Sequence, residues 1–379
     1  MRPHEQFMRP HECARMSSLC DRMSSFLYAL SEKIRRGDPV PLPLAAVLSA
    51  ATIVQRVGMW ARLRTMPVRV DARVISFGNI TAGGTGKTPA VIERARAELS
   101  AGRRVAVLTR GYGYPQPEKG LFAVGPTPGD PQCKSIVFEI GSRGRTSDLG
   151  DEPTLIVRKC PAVVIVKSAD RVEGARMAID KFGCNTLILD DGFQYVRLAR
   201  DENVCVIDAG NPFGNGWLIP RGILRERPES IRRATHILLT HCDRAGRLDA
   251  LLRQLKSLNQ AAAVRLTRHA PRSLWRVSDG QPLDLSELRG KKISAACAIA
   301  APESFFQTLR GLGAEIEHER PFPDHARLPQ DALQGPGLVV VTEKDAVKLA
   351  DPPGNVYALG IELEDAMGCD TIGACGGIP

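Results

Sequence analysis

Residues 74–89, VISFGNITAGGTGKTP, constrain the fold more than any other stretch. An apolar run (Val74, Ile75, Phe77) feeds a glycine-rich turn that ends in Gly86-Lys87-Thr88 and opens a helical pattern. Strand, glycine loop and helix in that order describe a phosphate-binding loop. Glycines let backbone N–H groups converge on an anion, and the helix N-terminus adds positive potential. Gly83, Gly84, Thr85 and Gly86 would form the cradle. Lys87 would reach the β and γ phosphates of a nucleotide, and the Thr88 hydroxyl would ligate Mg²⁺. The strict pattern has Gly five residues before Gly86, where this chain has Thr81, so the loop is a variant. The blander reading is a glycine-rich loop with a surface lysine. It leaves the flanking strand and helix without a purpose.

Around the loop, short apolar strands alternate with helical patterns. Strands are expected at 74–77, 105–109, 162–166, 186–189, 204–208 and 237–240, and helices at 88–99, 152–158 and 169–181. A further strand is expected at 136–140, inside a polar Gly/Pro-containing region. This alternation predicts an α/β fold of the P-loop NTPase type, a mainly parallel sheet with helices on both faces. A smaller α/β unit follows, with a helix at 248–258, strands at 262–266, 274–277, 292–298, 314–319, 338–341 and 356–361, and a helix at 302–312. The expected division is a disordered leader at 1–38, an apolar helix at 39–66, a core domain at 67–245, a smaller domain at 246–363 and a disordered tail at 364–379. The leader repeats itself, MRPHEQF being followed at once by MRPHECA.

The formal charge of +9 suits an anionic partner, whether nucleic acid, an acidic membrane surface or a phosphorylated substrate. Aromatics make up only 5% and no basic stripe is interleaved with them, so no nucleic-acid partner is expected. Ten scattered cysteines without CxxC spacing read as free thiols in a reducing compartment. Residues 39–55 carry no charge and are flanked by Lys33, Arg35, Arg36, Arg56, Arg62 and Arg64. The run is shorter than the roughly 20 apolar residues a bilayer span needs. It reads first as an amphipathic helix in a membrane interface, with a core-packed helix and a short span as alternatives.

A phosphate loop alone leaves the reaction open, and other residues narrow it. Asp190-Asp191 end an apolar strand, the edge at which open α/β sheets bind ligands. A carboxylate there can complete an Mg²⁺ shell begun by Thr88. Asp151, in Gly150-Asp151-Glu152-Pro153, is a helix cap or the group that takes a proton from an attacking hydroxyl. Arg225 and Glu226 suit charge neutralisation and metal binding. His325, in Phe322-Pro323-Asp324-His325, gains interest if the second domain folds over the loop.

Taken together these stretches resemble the tetraacyldisaccharide 4′-kinases, the lipid A 4′-kinases of Gram-negative bacteria. The matching pieces are GNITAGGTGKTP (78–89), TRGYG (109–113), GDEP (150–153), ADRVEGA (169–175), DDGFQYVRLARD (190–201), FGNGWLIPRGILRE (213–226), FPDHARL (322–328) and TEKDAVKL (342–349). The resemblance covers roughly residues 40–362. It implies ATP- and Mg²⁺-dependent phosphorylation of the 4′-hydroxyl of tetraacyldisaccharide 1-phosphate, giving lipid IVA, at the cytoplasmic face of the inner membrane. The implied partners are that glycolipid and an anionic membrane surface. It also implies roles. Lys87 and Thr88 are the loop lysine and metal-ligating hydroxyl, Asp151 is the general base and His325 its partner. Asp190 and Asp191 are the acidic pair, and Arg225 and Glu226 lie near the γ-phosphate and Mg²⁺. One departure is Tyr195, where the family usually has His. The alternative function is a nucleotide-driven switch ATPase or GTPase that gates a protein partner. Such a switch has no need of GDEP or the FGNGW–LRE element.

Overall fold

The computed structural model describes residues 30, 33–34, 37–110, 122–125, 136–139 and 150–366. The expectations for most of the leader, for Gly111-Tyr112-Gly113 of the TRGYG element and for the tail beyond residue 366 lie outside these residues. In the first half of the chain come helix α1 (Leu42–Leu63), β1 (Arg73–Gly78), α2 (Lys87–Ser100), β2 (Val105–Thr109), β3 (Phe122–Gly125), β4 (Ile136–Glu139), α3 (Asp151–Lys159), β5 (Val164–Lys167), α4 (Arg171–Phe182) and β6 (Thr186–Leu189). There follow β7 (Glu202–Asp208), β8 (His236–Thr240), α5 (Leu248–Leu258), β9 (Ala263–Arg276), β10 (Pro282–Leu283), β11 (Lys292–Cys297), α6 (Pro302–Gly311), β12 (Glu315–Pro321), β13 (Leu338–Thr342), α7 (Glu343–Ala346) and β14 (Val356–Asp365).

All these strands belong to one sheet, in the order β12-β11-β13-β14-β9-β8-β7-β1-β6-β2-β5-β3-β4, with β10 on β9. Strands β9 to β5 along that order are parallel, and so are β12 to β14. The antiparallel β9–β14 pair joins the two blocks. Parallel strands buried on both faces read as continuous apolar runs, as β1 and β2 do. Along β1, Ile75 and Phe77 pack with Ala90, Val91 and Ala95 of α2 and Ile156 of α3. Val74 turns to the other face, with Val172, Ala175 and Ala178 of α4. Helices therefore cover both faces, as the alternation predicts.

Local signals set the element ends. Asp170 caps α4 by accepting from Val172 N at 3.0 Å, and Gly183 ends it with a left-handed φ of 61°. Tyr195 reinforces that cap, its hydroxyl donating to Asp170 Oδ1 at 2.7 Å. Burial and this bond push the Tyr195 phenol up to about 12. Phe193 is fully buried, and its backbone N lies where a Cβ on Gly78 would sit, 2.5 Å away. Truncating Phe193 to Ala would cost about 3–5 kcal/mol.

One strand differs from expectation. The runs at 262–266 and 274–277 belong to one strand, β9. Its first residues pair with β8 and the rest with β14. Leu251 and Leu255 of α5 pack with Ile80, Phe193 and Ile207 of the first core. At the C-terminal end, Glu364 and Asp365 belong to β14, with Glu364 paired to Arg268 and Arg272. In the leader, Ile34 is buried.

Candidate active site

Ligands of open parallel sheets bind beyond the carboxyl ends of the strands. There a cavity of about 850 Å³ opens between the two blocks. Gly83 to Thr88, Asp151, Glu152, Asp190, Asp191 and Arg225 line one side. Ala300, Phe305, Asp324, His325 and Lys344 line the other. Among the described residues the non-glycine positions with left-handed backbone are Asp191 (φ 54°), His241 (φ 54°) and His325 (φ 65°). All three line this cavity. Such strain collects at functional sites, where surrounding structure holds it in place.

The glycine loop leaves β1 and enters α2 through Gly86, at φ 80°. That sign favours glycine, and a Cβ there would also lie 2.6 Å from His269 Nε2. Two side chains brace the loop: Thr240 Oγ1 donates to the Thr85 carbonyl at 2.9 Å and Asn79 Nδ2 to Thr85 Oγ1 at 3.1 Å. Thr81 forms a bridge with Leu224, and Arg225 N donates to the Ile80 carbonyl at 2.7 Å. The segment carrying Arg225 is thus stitched to the entry of the loop.

Asp191 collects the cations. Arg225 Nη1 donates to its two carboxylate oxygens at 2.8 and 2.7 Å, and Lys87 Nζ stands 3.6 Å away. Burial alone would raise the Asp191 carboxyl, but Lys87 and Arg225 outweigh it and hold it below the usual range. Asp190 is the opposite case. Burial, Glu152 and Asp191 push it up to about 7. Its Oδ1 is buried with no hydrogen-bond partner. An orphaned carboxylate oxygen between a phosphate loop and a second acid fits a hard cation. Among the described residues no cluster of three or more His, Cys, Asp or Glu could hold a metal by itself. Mg²⁺ suits such a sparse set, because it keeps waters and substrate phosphates as ligands.

Across the cavity, His325 Nδ1 lies 3.2 Å from Asp151 Oδ2, joining positions 174 residues apart. The Asp151 side chain is fully buried, whereas that of His325 is 42% exposed. The hydrogen bond to Asp151 raises the His325 imidazole above its ordinary value. Lys344 Nζ bonds Asp324 Oδ1 at 3.1 Å and stands 3.6 Å from Glu152.

The structure thus brings together Gly83, Gly84, Thr85, Gly86, Lys87, Thr88, Asp151, Asp190, Asp191, Arg225 and His325. Glu226, expected among the metal ligands, is not with them. It is buried, and its carboxylate accepts two bonds from Arg233 Nη2, at 2.9 and 2.8 Å, and one from Gln194 Nε2 at 2.9 Å. Glu226 thus stands apart from Thr88, Asp190 and Asp191, the other three residues expected to hold the metal. Residue reading missed His241 and His269, which also line the cavity. Asp208 stands 3.2 Å from His241 Nδ1, and His241 Nε2 is 2.9 Å from His269 Nδ1. Burial pushes His269 down to about 3, so it stays neutral. His241 follows directly on β8, and the strand-end rule that singled out Asp190 could have found it.

Comparison with known proteins places this geometry. The family model described as LpxK, tetraacyldisaccharide-1-P 4′-kinase, matches residues 40–369. A tetraacyldisaccharide 4′-kinase of Anaeromyxobacter dehalogenans (strain 2CP-C) is 40% identical over 323 residues, covering 82% of this chain and 81% of its own. That of Syntrophus aciditrophicus (strain SB) is 38% identical over 352 residues, 84% of this chain and 90% of its own. A crystal structure of LpxK from Aquifex aeolicus in complex with ATP superposes with a TM-score of 0.62 at 25% identity. It covers 86% of this chain and 94% of that one.

Proposed function

The chain belongs to the tetraacyldisaccharide 4′-kinase family, and from that membership we propose how its residues divide the work. The enzyme phosphorylates the 4′-hydroxyl of tetraacyldisaccharide 1-phosphate with ATP, a step of lipid A biosynthesis. The observation that carries the assignment of roles is the Asp151–His325 contact, made across the cavity that the glycine loop lines.

The loop amides of Gly83 to Thr88 hold the phosphates of ATP, with Lys87 on the β and γ oxygens. Thr88, Asp190 and Asp191 would hold Mg²⁺, which would supply charge neutralisation for the transferring phosphate. Arg225 stands ready for the charge that spreads over the transferring group. Asp151 and His325 share the proton of the 4′-hydroxyl as its oxygen attacks. The new O–P bond forms, the bond from the γ phosphorus to the bridging oxygen breaks, and ADP departs with that electron pair. Phosphoryl transfer asks more of positioning than of base strength. Ala300 of the second block stands 3.6 Å from a Cβ built on Gly84, so the cavity closes over the loop and limits water.

We further place the enzyme at the cytoplasmic face of the inner membrane, on an anionic lipid surface. By length and composition α1 could cross a membrane. Leu42, Val47, Ile53, Val54, Val57 and Trp60 of α1 are exposed. Its other side is tied to the body: Gln55 Nε2 donates to the Arg225 carbonyl at 2.8 Å and Arg221 Nη1 to Ser49 Oγ at 2.9 Å. A helix strapped along one side favours lying in the interface with its apolar side toward lipid.

Incubation with γ-labelled ATP and the tetraacyl disaccharide 1-phosphate, with and without Mg²⁺, tests the reading. It expects label on the 4′ oxygen only when Mg²⁺ is present. Label elsewhere, or equal transfer in chelator, overturns it.

A further inference from the structure

Lys348 is a buried lysine that the mechanism above does not use. Its side chain is 5% exposed, and its ammonium reaches three partners. It donates to the Ala326 carbonyl at 2.7 Å, pairs with Asp345 Oδ1 at 2.9 Å and stands 3.4 Å from Asp151 Oδ2. A charged head removed from water must find acceptors. The partners here belong to both blocks of the sheet.

The contacts close a ring. His325 N donates to the Ala298 carbonyl at 3.3 Å, and Ala298 N donates to Asp345 Oδ2 at 2.9 Å. Asp345 pairs with Lys348, Lys348 with Asp151, and Asp151 with His325 Nδ1. Lys348 also holds Ala326, the residue after His325. The left-handed backbone of His325 is thus clamped from both sides.

We infer that Lys348 is a positioning residue for phosphoryl transfer: it locks the His325 turn of the second block onto Asp151 of the first. The inference rests on the assignment of Asp151 and His325 to the proton. Other groups act on the same site. Lys344 stands 3.4 Å from His325 Nε2, Glu152 is 3.6 Å from Lys344, and Asp324 Oδ2 is 3.7 Å from His325 Nε2. Lys344 and Asp324 lie on the His325 side, and Glu152 follows Asp151 at the start of α3. Lys348 approaches Asp151 from inside, so removing it leaves a buried carboxylate with one cation fewer. A buried carboxylate that loses a cation within about 4–6 Å ionises roughly 1–3 pH units later.

The test compares full-length wild type, Lys348→Met, Lys348→Arg and Asp151→Asn in steady-state transfer across pH, with ATP affinity measured separately. Lys348→Met should lower kcat tenfold or more, move the acid limb of the kcat profile upward and leave ATP affinity within twofold. Lys348→Arg should recover most of the rate. If Lys348→Met fails to fold, Lys348→Met/Asp345→Asn removes both buried charges together and must show the same lowered kcat and shifted limb. A folded variant with wild-type kcat and an unmoved acid limb overturns the inference, provided Asp151→Asn is inactive. If Asp151→Asn is active too, the assignment of the dyad is what fails.

Discussion

At the scale of residues, charge placement decides roles that residue type alone leaves open. Asp190 and Asp191 are neighbours with opposite environments. One is raised by burial, and the other is held down by Lys87 and Arg225. Glu226 follows Arg225 in the chain, yet it serves Arg233 and Gln194. Glu226→Gln should therefore lower stability by roughly 1–3 kcal/mol through the weakened buried bonds. It should leave the Mg²⁺ dependence of the rate unchanged, as a metal titration read beside a thermal melt would show. A shifted Mg²⁺ requirement would return Glu226 to the metal. His325 supplies a pH prediction. Its folded pKa is raised by Asp151, so the ion pair's stabilisation is complete below about pH 6.5 and is lost as pH rises through the raised value. Melts of wild type and His325→Gln should converge above that value and separate below it. A constant difference across pH would contradict this. The acids of the site were legible from strand ends and helix starts. The partnership of Asp151 with His325 was legible only through the family resemblance, because no local pattern links residues 174 apart.

At the scale of elements, the glycine loop was legible because strand, turn and helix each left a pattern in adjacent residues. Strand β9 was not. Its polar stretch from Arg268 to Arg272 includes Pro271, which cannot donate to a ladder, and the chain therefore reads as two strands. The structure accommodates Pro271 opposite Ile361, where the β14 register shifts. Helix α1 is the element whose reading needs a second solvent. Its exposed Val54 and Val57 have no protein partner layer, so Val54→Asp/Val57→Asp should cut recovery with anionic vesicles by about tenfold or more. Transfer to a detergent-dispersed acceptor should stay within a few-fold of wild type. Equal vesicle recovery would take the anchoring role from this face.

At the scale of the whole molecule, β9 lies in both halves of the sheet, so the first core and the second share a strand. Unfolding either half would strip β9 of the ladder it forms with that half. Calorimetry should show one cooperative transition, shifted upward as a unit by ATP; two separable transitions would contradict the shared strand. Strand β9 thus runs from the block that carries the glycine loop into the block that carries the His325 turn. The central claim is that Asp151, on the phosphate-loop side of the cavity, and His325, from the opposite side, together take the proton of the attacking hydroxyl. Single-turnover transfer by Asp151→Asn with the acceptor lipid tests it most directly. The account predicts ATP binding within a few-fold of wild type and transfer slower by about 10²–10⁴-fold. Transfer at the wild-type rate, with ATP bound normally, would reduce Asp151 to a helix-terminal residue and contradict the account.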